Sequence, residues 1–179
     1  MKILVLNCGS SSVKFQLIRM ENESLLAKGM IEKIGSSDAI ITYQPEGRTR
    51  LREIREVLNH GVAIEMILTL LLHPQHGIIT SRSEIDGIGH RVVHGGEDFS
   101  DSVLITEEVK ATLRKCIQFA PLHNPHNLKG IEACEALLSG VPQVGVFDTA
   151  LHREPLTGYT LCEKRRKYTF FMLPWGIPA

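Results

Sequence analysis

Asn7, Cys8, Gly9 and the three serines at positions 10–12 separate two runs of apolar, β-prone residues. Gly9 permits backbone conformations closed to other residues, and the serine hydroxyls stand beside exposed backbone N–H groups, so this turn can cradle phosphate oxygens. Asn7 can turn an amide oxygen towards a metal-bound water, and Lys14 supplies a point charge suited to phosphate. The same residues also make an ordinary polar hairpin loop. The segment is neither a Walker loop nor a dinucleotide fingerprint. A second segment, GIGHRVVHGGE at residues 87–97, sets Arg91 beside two histidines and a Gly-Gly pair. The planar guanidinium can grip a carboxylate or phosphate through two parallel hydrogen bonds, or serve in a structural ion pair. His90 reads as a packed or loop histidine, and Gly95-Gly96 as a turn.

In FAPLHNPHNLKGIEA, residues 119–133, His123 stands just ahead of a helix. Helix N–H groups and the helix dipole favour an anion there. Capping and loop packing by His123 and Asn124 is the alternative. Leu122 and Val93 can each line an apolar pocket or belong to the core. In VGVFDTALH, residues 144–152, Asp148 closes an apolar run. That position recurs for catalytic carboxylates and metal ligands, and also for helix N-caps.

The elements that must position these residues follow from hydrophobic periodicity. Residues 2–6, 13–18, 25–34 and 39–43 read as strands, the last closed by Pro45-Glu46-Gly47. From Gly61, the residues Val62, Ile64, Met66, Ile67, Leu70 and Leu71 recur at helical spacing until Pro74. Residues 85–93 return to a strand pattern. Thr106-Glu107-Glu108 opens a helix carrying Val109, Leu113, Ile117 and Phe119. Asn124-Pro125 opens another that runs to about Leu138, and residues 141–147 are strand-like. Leading strands followed by helices alternating with single strands predict an α/β domain with a mixed sheet. Functional residues of such sheets gather at the carboxyl ends of strands, where Asn7, Arg91 and Asp148 all fall, so the topology allows them to converge.

Composition narrows the class. Twenty basic and twenty acidic residues cancel, which argues against a general nucleic-acid or membrane-surface binder. Cys8, Cys116, Cys134 and Cys162 are widely spaced and form no C-x-x-C pair. They read as free thiols of a reducing compartment, not as a disulfide frame or zinc site. The first residues lack the pattern of a secretory leader, and the longest apolar stretch, residues 67–72, is far too short to span a bilayer. A soluble cytoplasmic protein is expected.

In this order and spacing the four segments resemble the acetate kinase family, acetokinases of the sugar kinase/Hsp70/actin superfamily. LNCGSSSVKF and GHRVVHGGE are similar to its two signature segments, and APLHNPHNLKGIEA and VFDTALH to further family blocks, over about residues 1–152. The resemblance implies an α/β fold of ribonuclease H-like, actin-like type, a mixed sheet with flanking helices, with the N-terminal domain only. It implies reversible transfer of the γ-phosphoryl group of ATP to acetate with Mg²⁺, giving acetyl phosphate and ADP. Carried over by position, Asn7 helps hold the metal, while Lys14, Ser10 and Ser12 lie on the nucleotide-phosphate side. Arg91 binds the substrate carboxylate, Val93 and Leu122 border the acetate methyl group, and His123 lies near the transferred phosphoryl. Asp148 is the catalytic carboxylate, with an orienting or metal-linked role, because the acceptor carboxylate is already ionised at neutral pH.

The sequence also departs from the family pattern. Members are more than twice as long, form homodimers, and place the site in a cleft between two similar domains. Residues 153–179 have no recognisable counterpart of the family's continuation and hold a basic run at 164–167 followed by an apolar run at 170–173. Leu151 replaces a usual Phe, and His126 a usual small residue. The expectation is a truncated chain: an incomplete N-terminal acetokinase domain over residues 1–152 and a divergent tail over 153–179. It would retain half of a site, show little or no kinase activity alone, and form the homodimer less readily. A propionate or other short-chain acyl kinase of the same family, and a non-catalytic half-domain remnant, are the competing readings.

Overall fold

The computed structural model describes residues 1–96, 99 and 101–148. Five strands open the chain: β1 (Lys2–Cys8), β2 (Ser12–Arg19), β3 (Ser24–Glu32), β4 (Ser36–Pro45) and β5 (Leu51–Val57). They pair as an antiparallel meander. After helix α1 (His60–Leu71), β6 (Gly87–Val92) returns to lie parallel to β1. Then come β7 (Val103–Leu104), α2 (Glu107–Lys115), α3 (Asn124–Leu137) and β8 (Gln143–Phe147), the last parallel to β6. The sheet runs β5-β4-β3-β2-β1-β6-β8-β7. This is the mixed sheet with flanking helices that the sequence predicts.

Strand alternation builds the core. Leu4, Leu6 and Cys8 of β1 and Val13, Phe15 and Leu17 of β2 point to one face, where they meet Ile64, Ile67, Leu68 and Leu71 of α1 and Cys134 of α3. Each Val, Leu, Ile or Phe side chain among them contributes about 1.5–3 kcal/mol when buried. A smaller cluster of Val92, Leu113, Leu128, Ile131 and Phe147 ties α2 and α3 to the ends of β6 and β8. Cys8, Cys116 and Cys134 are buried, and burial pushes the Cys8 thiol up to about 12.

The helices carry their own start signals. Asn59 accepts the Val62 N–H at 3.0 Å, and the Thr106 hydroxyl accepts that of Val109 at 3.3 Å. In α2, Glu107 and Glu108 lead and Arg114 and Lys115 close, matching the helix dipole. Lys110, buried on that helix, is gripped by Glu107 and by Glu135 of α3, at 2.6 and 2.7 Å.

Besides the two-residue β7, which the sequence does not suggest, β5 and the end of α2 differ from the sequence expectation. β5 was not expected, because residues 52–56 are all exposed and mostly charged. It is an edge strand, and charge on an edge discourages pairing with other chains while hiding the usual apolar alternation. The helix expected to reach Phe119 stops at Lys115 and tightens into a 3-10 turn, Cys116–Gln118. Phe119 ends that turn and is 63% exposed, and Pro121 restricts Ala120, so the helix does not run on past it. The expectations for residues 153–179 and for Leu151 and Cys162 fall outside the described residues. No helix of the described residues is long and apolar enough to cross a membrane.

The approach of α3 to β1 depends on Gly130. A Cβ there would stand 2.5 Å from Cys8 Sγ. We expect Gly130→Ala to lower stability by about 1–3 kcal/mol through overpacking. Adding Cys8→Ala should recover part of that loss in urea unfolding. A double variant less stable than Gly130→Ala alone would contradict this packing account.

Candidate active site

The strand register decides which side chains share a face. Leu6 and His90, paired across β1 and β6, are buried against the helices. The next residues, Asn7 and Arg91, therefore turn to the opposite face of the sheet. Lys14, paired with Asn7 on β2 and flanked by buried Val13 and Phe15, shares that face. Asp148 comes directly after β8. Three neighbouring parallel strands thus bring Asn7, Arg91 and Asp148 to one end of the sheet, as the topology allows.

Arg91 and Asp148 form a two-pronged ion pair. Arg91 Nε donates to Oδ1 at 3.0 Å and Nη2 to Oδ2 at 2.8 Å. The bonds to Asp148 raise the Arg91 pKa above its ordinary value, so the guanidinium is a fixed cation. Side-chain exposures of 40% and 24% leave both groups reachable. The pair uses two of the donors of the guanidinium fork, and the others remain for a further anion. The ion-pair reading of Arg91 and its availability to a ligand are therefore compatible.

The serine turn is a hairpin between β1 and β2, and its carbonyls are turned into the protein. Ser12 O accepts the Gly9 N–H at 2.8 Å, and Ser11 O accepts the Ile34 N–H at 2.9 Å. Cys8 O accepts from Asn127 Nδ2 at 2.8 Å. Gly9 O lies 2.7 Å from His60 Nε2. A carbonyl can only accept, so that imidazole nitrogen carries the proton. Ser10 and Ser11 are exposed, and among the described residues their N–H groups make no hydrogen bond within the protein. Inward carbonyls and outward N–H groups give the turn a positive rim able to hold an anion. Ser12 is half-buried beneath it.

The third segment is held against the second by amides. Asn124 Oδ1 accepts the His94 N–H at 3.2 Å, while its Nδ2 donates to His94 O at 2.8 Å. Asn127 Oδ1 accepts the Val93 N–H at 3.2 Å. Half-buried Val93 is thereby tied to the start of α3, next to Leu122 and His123 in sequence order. His123 occupies the N-cap position but makes no side-chain capping bond, and it is exposed. Leu122 is 72% exposed, so it is not a core residue. His90 is the packed histidine expected, 2% exposed and bonded to Gln143 Oε1 at 2.6 Å. Gly96 takes a φ of +72°, the turn conformation its residue type allows.

The sequence does not single out His60 or Asn127, whereas the loop packing read for Asn124 is what its two bonds to His94 show. Asn124 and Asn127 share one helix face at i, i+3 spacing, a signal that also fits plain capping. His60, at the first residue of α1, stacks on His126 with ring centroids 5.1 Å apart. Burial, then the nearby His60, Lys129 and His123, lowers the His126 pKa. Among the described residues, no group of three or more His, Cys, Asp or Glu stands ready to hold a metal.

The acetokinase family matches residues 2–169. An acetate kinase of Caldicellulosiruptor saccharolyticus is 58% identical over 153 residues, 86% of this chain and 38% of that protein. The crystal structure of Porphyromonas gingivalis acetate kinase superposes with a TM-score of 0.82 at 45% identity, covering 92% of this chain and 43% of that one. A propionate kinase from Francisella tularensis gives 0.76 at 38% identity, with the same coverages. The chain spans about 38% of the length of the curated relatives it matches. The match extends through all four segments that carry the candidate residues, and the chain belongs to the acetokinase family.

Proposed function

We propose that these residues form one wall of a site for reversible phosphoryl transfer between ATP and acetate. One observation carries the reading: the spare donors of Arg91 and the outward N–H groups of Ser10 and Ser11 lie at the carboxyl ends of the same run of strands. Arg91 binds the acceptor carboxylate, and Asp148 holds the guanidinium plane so that its free N–H groups face the ligand. Asp148 need not remove a proton, because acetate is ionised at neutral pH. Ser10, Ser12 and Lys14 receive phosphoryl oxygens, and His123 meets the transferred group from the start of α3. Val93 and Leu122 border the methyl group. Positioning and charge neutralisation supply most of the rate in such a transfer.

The available metal donors are the Asn7 amide oxygen and the Asp148 carboxylate. An all-oxygen set this sparse fits Mg²⁺, which keeps waters and takes substrate phosphates as ligands. Asn7 and Asp148 would hold it, and the ion would neutralise phosphate charge.

Calorimetric titration of the purified chain with acetyl phosphate tests the proposal. We expect saturable binding that excess acetate weakens by competition. No binding by the folded chain, or binding indifferent to acetate, would overturn it.

A further inference from the structure

Asn127 is 3% exposed, and its one amide serves both substrate-facing segments. Nδ2 donates to Cys8 O at 2.8 Å, and Oδ1 accepts from Val93 N at 3.2 Å. Those two backbone groups stand opposite each other. The parallel pairing of β1 with β6 ends at Leu6 and His90, and continuing that register past Arg91 would join the Cys8 carbonyl to the Val93 N–H. The Asn127 amide occupies that rung. It accepts from one strand and donates to the other, so the strand ends are spread apart yet remain joined through one rigid group.

Cys8 begins the serine turn, and Val93 follows Arg91 by two residues. We propose that Asn127 is a positioning residue that sets the spacing between the phosphate turn and the Arg91 strand end, and so between the phosphoryl and carboxylate subsites. The proposal rests on the acetokinase reading above for what those subsites hold. Its geometry is independent of that reading. His60 differs in kind, because it pins only Gly9 O and touches neither Val93 nor β6 in the same way.

Two measurements on the full chain decide it. In ligand-free protein, Asn127→Ala should speed hydrogen exchange at the Val93 amide at least 10-fold, whereas His60→Gln should leave that amide unchanged. If the alanine variant does not fold, Asn127→Ser carries the same measurement. An unchanged Val93 amide in a folded Asn127 variant overturns the proposal whether or not any ligand binds.

The second measurement uses Asn127→Asp, which keeps an acceptor for Val93 but faces Cys8 O with another acceptor. Acetyl phosphate, which carries both a phosphoryl and an acyl end, should bind about 10-fold more weakly. Acetate and inorganic phosphate, which each fill one subsite, should change less than 2-fold. Equal losses for all three ligands would mark a structural role only and overturn the proposal. If the unsubstituted chain binds no acetyl phosphate, the acetokinase reading fails, and hydrogen exchange alone decides the role of Asn127.

Discussion

Replacing Arg91 with alanine should weaken acetyl phosphate binding by about 100-fold while leaving the chain folded. Two effects add. The variant loses charge-assisted hydrogen bonds to the ligand, each worth about 1.5–3 kcal/mol. It also leaves Asp148, a partly exposed carboxylate, unpaired beside an anionic ligand. The fold should survive, because an ion pair this exposed contributes about 0–1 kcal/mol to stability. Arg91→Lys restores charge without the planar fork and should recover only part of the affinity. Adding Asp148→Asn to Arg91→Ala removes the repulsion and should also recover part, as read by the same titration. Undiminished affinity in Arg91→Ala would place the ligand elsewhere.

His90 should make the fold sensitive to mild acid. Its ring is buried, and burial lowers its pKa to about 4, opposed by the bond to Gln143. In the unfolded chain a histidine titrates near 6.5. Above that pH both states are neutral and the full stability is present. As the pH falls from about 6.5 towards 4, the unfolded chain binds a proton that the folded chain resists, so stability is lost. Between pH 7 and pH 5 the loss from this group should be about 2 kcal/mol. Glu84 acts in a separate window: the Lys2 hydrogen bond holds its carboxyl down at about 2, so its contribution disappears only below the ordinary carboxylate range. His90→Gln keeps a donor for Gln143 and removes the titration. Urea unfolding at the two pH values should show a clearly smaller difference in that variant, and an equal difference would refute the assignment.

Much of this architecture was legible because one rule governed each element. Alternating apolar residues in β1 and β2 and the helical spacing of α1 needed no distant partner. That Asn7, Arg91 and Asp148 could converge followed from strand ends and parallel topology. What the sequence does not show depends on contacts remote in it. Arg91 and Asp148 are 57 residues apart, and no local pattern assigns one to the other. Asn127 bonds a backbone carbonyl 119 residues away, and His60 one 51 residues away. Backbone partners leave no residue-type signature. β5 was hidden for the opposite reason, because an edge strand is selected for charge and so reads as loop. Phe119 was misplaced because its helical spacing is real but the chain turns before reaching it.

The most direct test is an NMR titration of the isotopically labelled chain with acetyl phosphate. The amides of Ser10 and Ser11 and the Arg91 side-chain Nε–H should shift together and saturate at one ligand concentration. Shifts confined to other parts of a folded chain, or shifts at the serine turn without any at Arg91, would contradict it.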